Sequence, residues 1–212
     1  MTPKAIIFDW DLTLWNSWDI HVWLMGQTAD QLGVTRPESS AIAREFHRPF
    51  FDHLAQFLGD DHDRIIQVYV GLYQQVVADK AGLYAGVLDI LETLKSQGCR
   101  LAVFSDKRHS FGISEMEQAG VGELLDHTLF LQDGRPYKPD PKGLRDVMDA
   151  LAVSPEETLY VGDSHQDIEC AHRAGVRSAA ALWGSVNRDR VLAWEPHYQL
   201  EEVAHLIDAL RT

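Results

Sequence analysis

Short, unbroken runs of apolar residues constrain the fold of this chain more than any other feature of its sequence. The runs occupy positions 5–8, 101–104, 128–131, 158–161 and 178–182. Runs of this length and continuity are typical of strands that are buried on both faces of a parallel sheet. Apolar residues at helical spacing lie between several of them. The alternation predicts an α/β fold in which right-handed, helical crossovers connect parallel strands.

Residues 17–80 interrupt this alternation. Apolar residues follow helical spacing there, in Ile20–Leu32 and again in Ile65–Val77, and no run in this stretch predicts a strand. The stretch comes directly after the first predicted strand, so we expect it to be an insertion into the α/β fold. The predicted organisation is an α/β core at 1–16 and 81–212 with an all-helical domain at 17–80.

The composition excludes several classes of protein. The chain has 212 residues, with 19 Lys and Arg against 32 Asp and Glu, which gives a net charge of −13. This excess of acid argues against a nucleic-acid partner and against an anionic membrane surface. No apolar run approaches the ~20 residues of a membrane-spanning helix or the length of a signal peptide's apolar core. Cys99 and Cys170 lie far apart, as expected of reduced thiols in a cytoplasmic protein.

Two acidic residues follow the first predicted strand directly. Asp9 and Asp11 are two positions apart, so in an extended chain their side chains point to the same side. Ligands of open α/β sheets bind at the carboxyl ends of strands, and like charges this close need a cation or a shared proton. The pair predicts a metal site, an acid/base pair, or both. The alternative is an acidic turn that caps the next helix.

A second pair of acids follows the fourth predicted strand. Asp163 and Asp167 are four positions apart and would share one face of a helix that begins there. Either residue alone could complement a helix dipole, but this explains a second acidic pair at a strand end less well. Clustered carboxylates suit a hard cation such as Mg²⁺, which prefers oxygen ligands.

Two further positions supply groups that could bind an anion. Ser105 follows the second predicted strand, and Lys138 precedes Pro139 at the expected start of a helix. Proline is common in the first turn of a helix and needs no functional explanation there. Lys138 does need one, because a cation opposes the helix dipole at this end, and a nearby anion would account for it.

These four motifs, in this order, make the chain resemble the haloacid dehalogenase superfamily in its phosphatase branch, and most of all phosphoglycolate-phosphatase-like members with a helical cap. Residues 9–13 correspond to the family's first motif, DxDxT. Ser105 corresponds to the second motif, Lys138 to the third, and residues 162–167 to the fourth. The resemblance covers the core by motif and spacing, and the predicted cap by position and helical character. It implies a Rossmann-like core with an inserted helical cap. Leu12 departs from the pattern, because many members have Gly there.

The resemblance also implies a Mg²⁺-dependent phosphatase that acts on a small phosphomonoester, such as a phosphoglycolate-like compound, a sugar phosphate or a nucleotide. Asp9 would be the nucleophile, forming an aspartyl-phosphate, and Asp11 would be the general acid and base. Mg²⁺ would be held by Asp9, Asp163 and the backbone carbonyl of Asp11, with Asp167 bound directly or through water.

Under the same resemblance, Thr13, Ser105 and Lys138 would position phosphate oxygens, and Lys138 would also offset developing charge. Asp106 would belong to this phosphate loop, although many relatives have Asn at that position. In the predicted cap, Arg48 could pair with a second anionic group of the substrate or lie in a solvated turn between helices.

Single features of the sequence distinguish this chain from related proteins that catalyse other reactions. Asp11 favours an oxygen leaving group, because a departing halide needs no proton. Phosphonate cleavage needs a cap lysine, and residues 17–79 contain none. A β-phosphoglucomutase-type phosphotransferase remains an alternative. A non-catalytic binding protein with the same fold is another, although it would have no need of the retained acids and Lys138. The oligomeric state is not predicted.

Overall fold

The computed structural model describes residues 3–46, 48–132 and 134–211. The chain divides into two units, one formed by Met1–Asn16 together with Leu83–Thr212 and the other by Ser17–Gly82. Within the described ranges, no helix combines the length and the apolar character needed to cross a membrane.

A parallel sheet is the framework of the first unit. Its strands in the described ranges are β1 (Ala5–Phe8), β4 (Arg100–Arg108), β5 (His127–Leu131), β6 (Thr158–Gly162), β7 (Arg177–Ala181) and β8 (Tyr198–Leu200). Their order is β5-β4-β1-β6-β7-β8, with neighbouring strands parallel throughout. Two short strands, β2 (Trp15–Asn16) and β3 (Gly82–Leu83), form a separate two-stranded sheet. The predicted α/β fold with a parallel sheet is confirmed.

Helices connect these strands as predicted. The first unit contains α5 (Val87–Ser96), α6 (His109–Ala119), α7 (Lys142–Leu151), α8 (His165–Ala174), α9 (Arg188–Leu192) and α10 (His205–Arg211). The second unit contains α1 (Trp18–Leu32), α2 (Ser39–Glu45), α3 (Phe50–Leu58) and α4 (His62–Lys80). The two helices predicted in this stretch lie within α1 and α4.

Strand β1 lies between β4 and β6 in the middle of the sheet, and all four of its residues are buried. Ala5 and Ile7 pack with Phe104 and with apolar residues of α7 and α8 in one core cluster. The register pairs Phe8, the last residue of β1, with Val161 of β6. Residues that follow β1 and β6 are therefore brought to one edge of the sheet.

Strand β4 is longer than predicted. The apolar run ends at Phe104, but the strand continues to Arg108 with an irregular register between these two residues. Ser105 therefore lies within the strand and not beyond its end. Strand β8 was missed, because its three residues have intermediate, exposed and buried side chains in turn and form no apolar run.

Two glycines allow a matched test of this packing, with opposite expected effects. A Cβ on Gly143 in α7 would lie 2.3 Å from Phe104 Cε2, whereas a Cβ on Gly71 in α4 would meet nothing within 4 Å. We expect Gly143→Ala to lower the free energy of unfolding by about 1–3 kcal/mol. Gly71→Ala should raise it by roughly 0.5–1 kcal/mol, because alanine loses less backbone entropy in a helix. Urea unfolding would measure both, and equal shifts in the same direction would contradict the packing described.

Candidate active site

Three carboxylates meet where β1 and β6 end. Asp9 directly follows β1, and its backbone N–H donates to Val161 O of β6 at 2.8 Å. Asp163 directly follows β6, and Asp167 lies in the first turn of α8. Each of the three is buried and offers a carboxylate oxygen, and these oxygens all lie within 4.8 Å of one another. The structure thus brings together three of the acids that the sequence singled out.

Lys138 supplies positive charge to this cluster. Its Nζ lies 3.0 Å from Asp9 Oδ1 and 2.7 Å from Asp167 Oδ1, and the residue is buried. The backbone N–H and carbonyl of Lys138 form hydrogen bonds as well. Asp106 Oδ2 accepts from the Lys138 N–H at 2.9 Å, and Gln166 Nε2 donates to the Lys138 carbonyl at 3.1 Å.

The pKa values of the three acids depend on their burial and on the charge of Lys138. Burial raises the pKa of Asp9 to about 7, against the opposing charge of Lys138. Burial also raises the pKa of Asp163 well above its usual range, and the charges of Asp167 and Asp9 raise it further. Burial would raise the pKa of Asp167 too, but Lys138 and the hydrogen bonds from Ser164 outweigh it and lower that pKa. Without a further cation, the cluster disfavours full ionisation.

Asp167 is fixed by hydrogen bonds from two elements. Ser164 caps α8, and its hydroxyl and backbone N–H donate to Asp167 Oδ2 at 2.6 and 3.0 Å. The Tyr160 hydroxyl on β6 lies 3.0 Å from Asp167 Oδ1. Because α8 begins at His165, Asp163 precedes the helix, and the expectation that it shares a helix face with Asp167 was wrong. The turn of the chain through Ser164 brings the two acids together instead.

Tyr160 was missed by sequence reasoning. It lies within an apolar strand, and its ring packs near Phe104, with the centroids 5.8 Å apart. The available signal was the hydroxyl itself, since a buried phenol requires a hydrogen-bond partner. It lies 3.0 Å from the Phe104 carbonyl and within reach of Lys138 Nζ at 3.4 Å.

Asp11 lies outside the three-carboxylate cluster and has a cation of its own. Lys107 Nζ donates to Asp11 Oδ1 at 2.8 Å and to Oδ2 at 3.1 Å. The Lys107 side chain is only 12% exposed, so it is not a surface lysine. The two aspartates after β1 therefore have separate cationic partners, Lys138 for Asp9 and Lys107 for Asp11.

The candidate phosphate-binding residues line the same edge of the sheet. The Thr13 hydroxyl donates to Asp163 Oδ1 at 3.4 Å, and a hydrogen bond from Ser105 lowers the pKa of Asp9. Arg135, which the sequence did not single out, donates from Nη2 to the Ser105 carbonyl at 2.8 Å. Its guanidinium also lies 3.9 Å from Asp106 Oδ1. Asp106 is thus held between Arg135 and the backbone of Lys138.

Arg48 belongs to the helical unit. It lies in an exposed turn between α2 and α3 and forms an ion pair with Glu45, three positions earlier. The solvated turn was one of the two interpretations that the sequence left open for this residue. A contact of Arg48 with substrate stays a prediction.

The loop after β1 has an unusual backbone at Leu12. This residue has φ of 59°, in the left-handed region that favours glycine, and its side chain is fully buried. Its carbonyl oxygen would lie only 1.8 Å from a Cβ on Gly184, so the two backbones are packed closely together. Tertiary packing thus holds a leucine in the left-handed region at the position where many members of the resembled family have glycine.

The sequence profile of the haloacid dehalogenase-like hydrolase family matches residues 6–181. The chain belongs to the haloacid dehalogenase-like hydrolase family. The matched range contains all three clustered carboxylates, Lys138 and the Asp11–Lys107 pair.

Known proteins are similar to this family member over almost their whole length. Pyrophosphatase PpaX of Bacillus velezensis is 25% identical over 210 residues, which are 98% of this chain and 97% of PpaX. A predicted phosphoglycolate phosphatase from Haemophilus somnus 129PT has a structure that superimposes with a TM-score of 0.89 at 23% identity, covering 99% of this chain and 98% of that one. The structure of a haloacid dehalogenase-like family hydrolase from Streptococcus pneumoniae superimposes with a TM-score of 0.86 at 23% identity. The match covers 99% of this chain and 98% of that one. At 23% identity, the similarity to these two structures shows that this chain shares their fold.

Proposed function

We propose that this protein is a cytoplasmic, Mg²⁺-dependent phosphatase that hydrolyses a small phosphomonoester through an aspartyl-phosphate on Asp9. The observation that carries the proposal is the environment of Asp9. Its carboxylate is buried where β1 ends, and its Oδ1 lies 3.0 Å from Lys138 Nζ. A buried carboxylate oxygen beside a lysine suits attack on an anionic phosphorus centre, because the lysine charge offsets the repulsion between the two anions.

Two transfers complete the proposed reaction. An Asp9 oxygen forms a bond to phosphorus while the P–O bond to the leaving group breaks, and the Asp11 carboxyl gives its proton to the departing alkoxide. Asp11 then takes a proton from water, the water oxygen bonds to phosphorus, and the Asp9–phosphorus bond breaks to release inorganic phosphate.

The residues present fit a Mg²⁺ ion. Asp9, Asp163 and Asp167 provide oxygen ligands within 4.8 Å of one another, while Lys138 is the cation that touches two of them. The backbone carbonyl of Asp11 is the further proposed ligand, and Asp167 would bind directly or through water. Bound Mg²⁺ would neutralise phosphate charge and the mutual repulsion of the acids. Lys138, Ser105 and Thr13 would hold phosphate oxygens, and Asp106 would fix the backbone of Lys138.

The substrate class is a small phosphorylated metabolite, not a nucleic acid. We propose that the helical unit at 17–82 acts as a cap that selects the substrate, and that Arg48 is one of its candidate contacts. The names of the relatives suggest pyrophosphate and phosphoglycolate as first compounds to test. Sugar phosphates and nucleotides complete the panel, and phosphate release would be measured with and without EDTA. Release from no compound would contradict a phosphatase, and conversion of one sugar phosphate into its isomer would indicate a mutase.

Binding of Mg²⁺ can be tested without turnover. We expect saturating Mg²⁺ to raise the melting temperature by about 5–10 °C, because ligand at 100 Kd stabilises by about 2.7 kcal/mol. Asp163→Asn should lose most of this shift, since it removes one charged ligand. Asp149→Asn on the exposed face of α7 is the matched control and should keep it. Equal shifts in all three proteins would place the ion elsewhere.

A further inference from the structure

A buried glutamate lies next to the aspartate pair but outside the proposed chemistry. Glu115 is on α6 and is 1% exposed, although its side chain carries a carboxylate. Its Oε2 accepts a hydrogen bond from Trp10 Nε1 at 2.7 Å. Trp10 is the residue between Asp9 and Asp11, and its ring is fully buried. The ring stacks on Trp15, with centroids 5.8 Å apart, and forms a T-shaped pair with Phe130, with centroids 5.9 Å apart. Glu115 thus ties α6 to the loop that carries both aspartates.

The other oxygen of Glu115 reaches the same loop through a lysine. Lys107 Nζ lies 2.8 Å from Glu115 Oε1 and 2.8 Å from Asp11 Oδ1. The ammonium group is therefore held between two carboxylates, one from α6 and one from the loop. Because a lysine side chain has several rotatable bonds, a single partner would leave its position poorly defined, and a second one fixes it.

We propose that Glu115 is a positioning residue for Asp11. It fixes Lys107, and Lys107 fixes the Asp11 carboxylate where it meets the oxygen of the leaving group. The Trp10 hydrogen bond keeps Glu115 itself in place and links α6 to the loop. The inference rests on the proposed function, in which Asp11 transfers a proton to that oxygen. Proton transfer depends steeply on such placement, since a misplacement of about 1 Å can cost about a hundredfold in rate.

The effect should depend on the leaving group. Glycerol 2-phosphate releases a basic alkoxide that needs a proton, whereas p-nitrophenyl phosphate releases a weakly basic phenolate that does not. Glu115→Gln should lower kcat/KM on glycerol 2-phosphate by about tenfold or more and on p-nitrophenyl phosphate by less than about threefold. The parameter kcat/KM is the suitable one, because it reports the steps up to transfer of phosphate to Asp9.

Glu117→Gln is the matched control, because Glu117 is on the same helix and exposed to solvent. It should leave both values unchanged. Equal losses on the two esters in Glu115→Gln would mean a merely structural role and would overturn the proposal. If Glu115→Gln does not fold, Glu115→Asp is the alternative variant, because it keeps the charge but shortens the side chain by one methylene. It should again lower kcat/KM more on glycerol 2-phosphate than on p-nitrophenyl phosphate, but by a smaller factor.

A crystal structure of the variant separates this inference from the proposed function. In Glu115→Gln we expect Lys107 to leave its place between the two acids and the Asp11 carboxylate to move with it. An unchanged Asp11 would overturn the positioning role whether or not the protein releases phosphate. Absence of release from every ester by the wild-type protein would instead contradict the proposed function, and the position of Asp11 in the variant would still decide the inference.

Discussion

Asp9→Asn is expected to abolish phosphate release, lowering kcat by a factor on the order of 10⁴–10⁶, as for other enzymes that lose a covalent nucleophile. An amide cannot form the proposed intermediate, and the acids next to Asp9 have other proposed roles or partners. Asp163 and Asp167 are proposed metal ligands, and Asp11 pairs with Lys107. Initial rates with the best compound of the panel, with Mg²⁺ present, would measure the loss.

The same variant should remain folded. Asparagine has nearly the shape of aspartate, and the substitution removes one charge from a buried group of three acids. The melting temperature without Mg²⁺ should therefore not fall by more than a few degrees. Asp149→Asn controls for the chemical change at an exposed site and should keep full activity. A folded Asp9→Asn protein with substantial activity would rule out Asp9 as the nucleophile.

Lys138→Met is expected to cost both stability and activity. Lys138 Nζ contacts Asp9 and Asp167 in the interior, and removing one partner of a buried ion pair typically costs about 3–5 kcal/mol. Methionine fills the space of the side chain but leaves the carboxylates without their lysine. We expect the free energy of unfolding, measured in urea without Mg²⁺, to fall by about that amount, and kcat to fall by at least about a hundredfold.

Lys142→Met is the matched control for this change. Lys142 lies in the exposed first turn of α7 and pairs with Asp146, four positions later. Such pairs contribute about 0.3–0.5 kcal/mol, so the control should change stability little and activity not at all. Similar losses in the two variants would mean that Lys138 carries no special electrostatic role.

The sequence could predict those parts of the site that depend on which residues directly follow one another in the chain. An apolar run followed at once by acids predicts a strand end with carboxylates, and parallel strands bring such ends to one edge. Asp9, Asp163 and Asp167 meet for that reason. The positions of Ser105 and Lys138 indicated only that they could bind an anion, and the family resemblance added their expected roles in positioning phosphate.

The partners of these residues could not be predicted, because they come from distant positions in the sequence. Tyr160 resembles a core residue, and Arg135 and Glu115 resemble ordinary surface charges. Each acquires its place only when strands and helices pack: the separation is 96 residues for the Lys107–Asp11 pair and 105 for the Trp10–Glu115 pair. No spacing rule along the chain connects such positions.

The left-handed backbone at Leu12 makes the shape of the loop after β1 depend on a residue far along the chain. A leucine does not favour this conformation, which costs an L-residue about 1–2 kcal/mol in an isolated chain. Local backbone preference therefore does not favour the turn between Asp11 and Thr13. It becomes favourable once Leu12 is buried and its carbonyl lies against Gly184, on the far side of β7 in the sequence. A chain shortened to end before Gly184 would therefore keep all of the site's acids but lose the contact that holds the turn between Asp11 and Thr13 in place.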